Sequence, residues 1–460
     1  MTNTVARQLS YLLARRRSTA EAYLLRVAQR HKALGYGSLA AGKSKFSRWK
    51  AGTIPELPTQ LAIADLEGVA HEEVLRLGWP GWLTLAVADQ DDRLYFDSPW
   101  TTTGTVNALE KVGAQVDDRN RRDFLVTSTT ALSAVIAGWA SAPPAQAALA
   151  GRGRRVNAAV PRAFQQRLAV LRRLDDQVGS GQVYTSAVSE LRMITSVIKE
   201  CTYTEDVGRQ LYAAAAEASR SAGWTAYDSG HHAQAERHFA TALRAAASGD
   251  DPVVGVNTLA FWAIQHYSTG NPRGAVALVE AAQAKVPAIG SARMTAMLHA
   301  RACRAYAHAG DHRSADRQAN AALDAYANVG PVHDDPDCVY WLNLGEVYQL
   351  LGSSSLNLNR PRQALTHFDA ATAACTSEAY DGESFPRGAA IYLARRADAH
   401  LALHDLEGAV ATAHQAVEHM GGVTSARGSS TLSDLRTKLA AHRSVPAISD
   451  FLAYTAATSN

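Results

Sequence analysis

Between residues 230 and 416 one pattern recurs five times, and it limits the possible fold more than any other feature of the chain. A turn position is followed by Ala-x3-(large or small)-x2-Ala. The units are Gly230/Ala235/Phe239/Ala242, Gly270/Ala275/Val279/Ala282, Gly310/Ala315/Ala319/Ala322, Gly352/Ala364/Phe368/Ala371 and His404/Ala409/Ala413/Ala416. Steps of four and then three place each trio on one helical face. Small residues at the outer positions let a second helix cross closely, so each unit reads as a helical pair. Such a pair cannot bury its open face alone and must stack on the next. The leading alanines lie 40, 40, 49 and 45 residues apart. Hydrophobic residues make up 47% of the chain, with only 9 Phe, and alanine carries much of the share, which favours packed helices over sheets. The expectation is an all-α chain with a helical-repeat solenoid over residues 156–460. "RAFQQRLAVLRRL" and "SAVSELRMITSVIKE" supply two amphipathic helices ahead of the repeats.

The fourth unit also contains Trp341, Leu344, Gly345 and Tyr348 ahead of Gly352. With Ala364, Phe368 and Ala371 it resembles the W-x2-LG-x2-Y…A-x3-F-x2-A signature of tetratricopeptide repeats, interrupted near "SSSLNLN". That resemblance implies a concave groove lined by the first helix of each repeat. Carried across in register, it turns Glu217, Arg220, Trp224 and Tyr227 inward, then Asn257 and Tyr267, then Arg304, then Glu346 and Gln349. Such a mixture of aromatic, amide and charged groups suits a signalling peptide, a small ligand or a protein partner.

Charge separates the N-terminus from the rest. Residues 1–52 hold eleven basic residues against one acid, Glu21, a surplus of ten; the whole chain is only +3, so the remainder is −7. A basic head on an acidic body points to nucleic acid. Within the head, Leu9, Leu12 and Leu13 mark one helix. "STAE" reads as a capping box with Ser18 as N-cap and Glu21 at N3, opening a second helix whose Leu24, Leu25 and Ala28 face one way. Phe46 and Trp49 point inward on a third, short helix, leaving Lys43, Ser44, Lys45, Ser47, Arg48 and Lys50 outside. Gly52, Pro55 and Pro58 end it, and "TQLAIADLEGV" closes the unit.

Ser47, Arg48, Trp49, Gly52 and Pro55 resemble the recognition helix and following turn of Cro/C1-type (Xre-type) helix-turn-helix regulators, with the longer interval "GYGSLAAG" between the two central helices. The resemblance covers roughly residues 5–80 and implies a helix in the major groove of duplex DNA. Lys43, Ser44, Lys45, Ser47, Arg48 and Lys50 would face the DNA, while Arg15, Arg16, Arg17 and Ser18 would position phosphates. It divides the chain into a head (1–82), a linker with an apolar helix (83–155) and the repeat domain (156–460). The architecture is similar to peptide-responsive regulators of Gram-positive bacteria and to actinobacterial regulators. It implies a homodimer on a double-stranded operator; a repeat scaffold with a degenerate head is the alternative.

One stretch argues differently. "NRRDFLVTSTTALSAVIAGWASAPPAQA" looks like a twin-arginine export signal, yet it begins at Asn120, behind the head. Arg121 and Arg122 read as helix-start charges, and Leu125 to Trp139 as a helix buried on the array or a second subunit. The expected location is cytoplasmic, with no membrane partner. No phosphate-binding loop, zinc protease motif or nucleophile elbow is present, and the four cysteines are scattered, so no enzyme, cofactor or metal is expected. His231, His232, His308, His312 and His404 read as solvated turn residues, and Asp334, Asp335 and Asp337 as a solvated charge run.

Overall fold

The computed structural model describes residues 2–16, 18–87, 99–114, 129–142, 144, 153–375 and 385–457. Every extended element within them is helical, apart from an isolated bridge between Arg155 and Thr202.

The head contains α1 (Thr2–Arg15), α2 (Ala20–Ala33), α3 (Lys43–Lys50), α4 (Leu57–Leu66), α5 (His71–Leu77) and α6 (Leu83–Val87). Tyr23, Leu24 and Val27 of α2 meet Phe46 and Trp49 of α3 and Ala62 and Ile63 of α4 in one core. The N-cap of α2 is Thr19 rather than Ser18. Thr19 has the extended backbone a cap requires (φ −74°, ψ 159°), and its hydroxyl accepts the Ala22 N–H at 3.2 Å. Ser18 instead donates to the Thr19 carbonyl. Leu25 is 52% exposed, because one residue beyond buried Leu24 is a rotation of about 100° around the helix.

Two helices follow before the repeats, α7 (Thr102–Ala114) and α8 (Thr129–Ser141). The sequence suggested a linker at α7, but this helix is packed on the array. Thr105 shares a 2.9 Å hydrogen bond with Ser248, and the Gly113 carbonyl accepts from Arg192. The export-like stretch supplies α8, which docks on the array through buried Trp139. Arg121, Arg122 and Leu125 lie outside the described residues. Among the described residues no helix is long and apolar enough to cross a membrane.

The array is a succession of antiparallel pairs. They are α9 (Ala159–Val178) with α10 (Ser180–Glu200), α11 (Glu205–Asp228) with α12 (His232–Gly249), α13 (Pro252–Ser268) with α14 (Pro272–Lys285), and α15 (Ala292–Ala309) with α16 (His312–Tyr326). Then come α17 (Leu344–Asn357) with α18 (Pro361–Cys375) and α19 (Pro386–Ala402) with α20 (Leu406–Met420); of the last two helices, α21 (Ala426–Leu439) packs on α19 and α22 (Pro446–Ala457) on α20. The fold is a solenoid of stacked helical pairs. Of the repeated trios only Ala319 is less than fully packed; Ala235, Phe239, Ala242, Ala364, Phe368, Ala371, Ala409, Ala413 and Ala416 are at most 1% exposed. Gly352 shows why a small residue is needed at the crossing: a Cβ there would stand 2.7 Å from the Phe368 ring.

The solenoid turns far enough to meet itself. α21 reaches α11, and α19 reaches α9. At this seam the Thr424 N–H donates to the Val178 carbonyl at 3.3 Å, and Gly179 lies so close that a Cβ would fall 2.4 Å from the Thr424 oxygen. Gly179 also has φ +86°, so it meets two demands only glycine satisfies together. Arg387 bridges Asp175 (2.9 Å) and Asp228 (3.3 Å), and Arg427 holds Asp228 at 2.9 Å.

Candidate functional site: a cationic central cavity and a basic head helix

Because the first helices of the pairs face inward and the ends meet, the axis of the array becomes a cavity of about 580 Å³. Seven of the nine groove residues expected from sequence line it: Arg220, Trp224, Tyr227, Asn257, Tyr267, Arg304 and Glu346. Glu217 stands behind this wall, and Gln349 is not among the lining residues.

Most of the cavity's charge is internally compensated. Glu217 accepts from Arg172 and Arg220, each at 2.7 Å. Burial alone would raise its pKa, but the two guanidiniums prevail and hold it at about 2. Trp224 donates its indole N–H to Asp175 at 2.9 Å and lies within cation–π range of both Arg387 and Arg427. It is therefore a pillar of the seam as much as a wall of the cavity. Asp176, desolvated beside Tyr340, is raised to about 6.

A second group is different. Arg301, Arg304 and Arg395 line the cavity with no ion pair to any carboxylate among the described residues. Arg301 lies over Trp341 (5.4 Å) and Phe261 (5.9 Å), and Arg304 lies over Tyr267 (5.4 Å). Arg304 also donates to Asn357 and meets His308 Nε2 at 3.2 Å, while Arg395 donates to Ser353 at 3.1 Å. Arg301 and Arg304 are 8% and 2% exposed, and the Nε of each is buried without a partner. Burial pulls the Arg395 guanidinium down to about 10. The carboxyl in this region, Glu346, is hydrogen-bonded by Tyr392 and raised by burial to about 7. Tyr267 records the resulting field: burial should raise its phenol, yet four surrounding arginines hold it below the ordinary value.

Two loop features differ from the sequence expectation. His308 is no solvated turn residue; it stacks on Tyr267 at 4.8 Å, and burial beside Arg304 lowers it to about 2. The aspartates at 334–337 are partly structural. Asp335 accepts from Ser291 at 2.5 Å and Arg293 at 2.7 Å, and Asp337 pairs with Arg172 and Arg173.

In the head, Phe46 and Trp49 are 2% and 3% exposed, so α3 turns Ser44, Ser47 and Arg48 to solvent, with Lys45 and Lys50 half-buried. The side chains of Arg15 and Lys43, and all of Arg17, lie outside the described residues. Arg16 serves the head's own packing. It donates to the Leu66 carbonyl at 2.6 Å and pairs at 3.4 Å with Glu67, whose other oxygen takes the Tyr23 hydroxyl. Its position favours a clamp between the two ends of the head over a phosphate contact.

No protein-family model and no curated protein matches the chain. The fold is similar to a chain of the crystal structure of the APC/C hetero-tetramer Cut9–Hcn1, with 13% identity, a TM-score of 0.32, and coverage of 82% of this chain and 62% of that one. The chain thus spans less than two thirds of that neighbour, and a likeness so loose carries no argument about function.

Arg301, Arg387, Arg395 and Arg427 also line the cavity and were not among the groove residues expected from sequence. Arg301 had a usable signal, being three residues from Arg304 on the same helical face. The others come from helices that only the closure of the array brings opposite α11.

Proposed function

We propose that this protein is a DNA-binding transcriptional regulator whose helical-repeat body senses a ligand in its central cavity. The observation that carries the reading is the division of charge between two separately built surfaces. A short helix with an apolar inner face turns Ser44, Ser47 and Arg48 outward from a strongly basic head, while the acidic body encloses a cavity with uncompensated cations. α3 has the length and polarity to enter a major groove, with Ser47 and Arg48 reading base edges and neighbouring cations on phosphates. One such helix reads few bases, so the working form is a homodimer on two half-sites about 34 Å apart.

The engagement of Arg16 with Glu67 and of Arg30 with Asp65 favours a second reading, a repeat scaffold whose head is degenerate, because both cations serve the head's own fold. Salt-dependent binding to duplex DNA separates the two. A regulator yields a selectable sequence from genomic fragments and a steep fall of affinity with salt. A chain with no duplex affinity at low salt is the scaffold.

A further inference from the structure

We infer that the ligand of the central cavity is a small organic anion, its carboxylate or phosphate held by Arg301, Arg304 and Arg395 and its apolar body set against Ile264, Leu350 and Ile391. The inference rests on the ligand-sensing reading above and goes beyond it by naming the chemistry.

Buried charge is costly. A desolvated guanidinium without a counter-ion is expensive, and folded chains normally pair it. Around this cavity four arginines follow that rule, with Glu217, Asp175, Asp228 and Asp337 as partners. Three do not. They rest instead on the faces of aromatic rings and on neutral acceptors, which orient a guanidinium without neutralising it. Orphaned Nε atoms on both Arg301 and Arg304 leave donor capacity directed at nothing in the protein. The Tyr267 phenol, stacked on His308 and beneath Arg304, lies within reach of the same cations, which hold it below its ordinary value. A carboxylate or phosphate supplies the missing charge and accepts in the paired geometry that guanidinium favours.

Size and surroundings restrict the anion further. A volume of about 580 Å³ suits a compact molecule rather than an extended polymer. Ile264, Leu350 and Ile391, at most 3% exposed, give it an apolar wall. Glu346 beside the cluster disfavours polyanions when ionised, so one anionic group fits better than several.

The test uses the full chain without DNA and four probes of matched size: phenyl phosphate, benzoate, benzyl alcohol and benzylamine. Calorimetry should show at least one anion binding roughly tenfold or more tightly than the alcohol, with no binding of the amine; the ranking of phosphate against benzoate identifies the head group. Arg301→Gln and Arg304→Gln should each weaken the anion by about tenfold and leave the alcohol unchanged, a pattern that loss of fold would not produce. Arg395→Gln serves as a further variant if a melting curve shows that Arg304→Gln does not fold. Equal binding of all four probes, no anion binding at millimolar concentration, or anion binding unaltered in folded variants overturns the inference. Duplex binding is measured separately. Its absence with anion binding intact defeats the regulator reading alone, and DNA binding without anion binding defeats the ligand assignment alone.

Discussion

Replacing Arg387 with methionine should open the array at its seam. Arg387 is 5% exposed, and its guanidinium is shared by Asp175 and Asp228, with the Ser180 hydroxyl 3.1 Å away. Methionine keeps much of the volume and removes the charge, leaving two buried carboxylates. Removing one partner of a buried pair costs about 3–5 kcal/mol. The lower end applies here, because Asp228 keeps Arg427 at 2.9 Å and Asp175 keeps the Ser180 hydroxyl at 2.6 Å and the Trp224 indole at 2.9 Å. A loss of about 3 kcal/mol in seam closure corresponds to roughly 100-fold faster amide exchange wherever exchange requires the seam to open. Hydrogen exchange followed by mass spectrometry should therefore show faster exchange in α9, α19 and α21 and little change in α13 and α14. Adding Asp175→Asn should restore part of the protection, since it removes an orphaned charge. Unchanged exchange at the seam, or a loss spread evenly through α13 and α14, would refute the idea that this cluster closes the array.

Arg48→Ala should lower affinity for a selected duplex more than for random DNA, because base contacts specify and phosphate contacts position; equal losses remove it from the base-reading surface. Arg16→Ala should instead lower head stability by about 1 kcal/mol after allowing for its partial exposure, read as a melting shift without a specific loss of sequence preference. Gly352→Ala should destabilise by roughly 1–3 kcal/mol through overpacking on Phe368, whereas Gly330→Ala, with no atom closer than 4.0 Å to the new Cβ, should be nearly neutral in the same denaturation assay. Glu346 has its folded pKa raised to about 7 from 4.5, so the folded state holds a proton the unfolded state has lost, and stability falls as pH rises through that window. Glu346→Gln should flatten that fall, while the loss of stability between 4.5 and about 2, where Glu217 protonates, should persist.

The repeats were legible because helices crossing closely impose small residues at fixed spacing, and Ala235, Phe239 and Ala242 report that constraint wherever it holds. Register then carried seven groove residues to one cavity. What local pattern could not convey was the closure. Rotation accumulates from pair to pair, and whether residue 387 returns to residue 175 depends on its total, a sum no single repeat displays. The same limit hid the pairing of Asp337 with Arg172, 165 positions away. Helices α21 and α22 carry no alanine trio and so give no repeat signal. In the head, the inward Phe46 and Trp49 followed from spacing alone, but the role of Arg16 did not, because Glu67 lies 51 residues off and the basic run around it suggested a different use.

The meeting of α21 with α11 also constrains how such a chain can evolve. An open solenoid gains or loses a repeat with little penalty, since each unit interacts only with its neighbours and the ends are free. Here the ends are joined, and Gly179 and Thr424 meet so closely that a Cβ at Gly179 would stand 2.4 Å from the Thr424 oxygen. Duplicating or deleting a single pair would carry the last helix past the seam or stop it short, breaking the Asp228 cluster and the cavity together. The number of repeats is therefore fixed as firmly as any active-site residue, and variation among descendants should fall in sequence and loop length, with repeat number held constant.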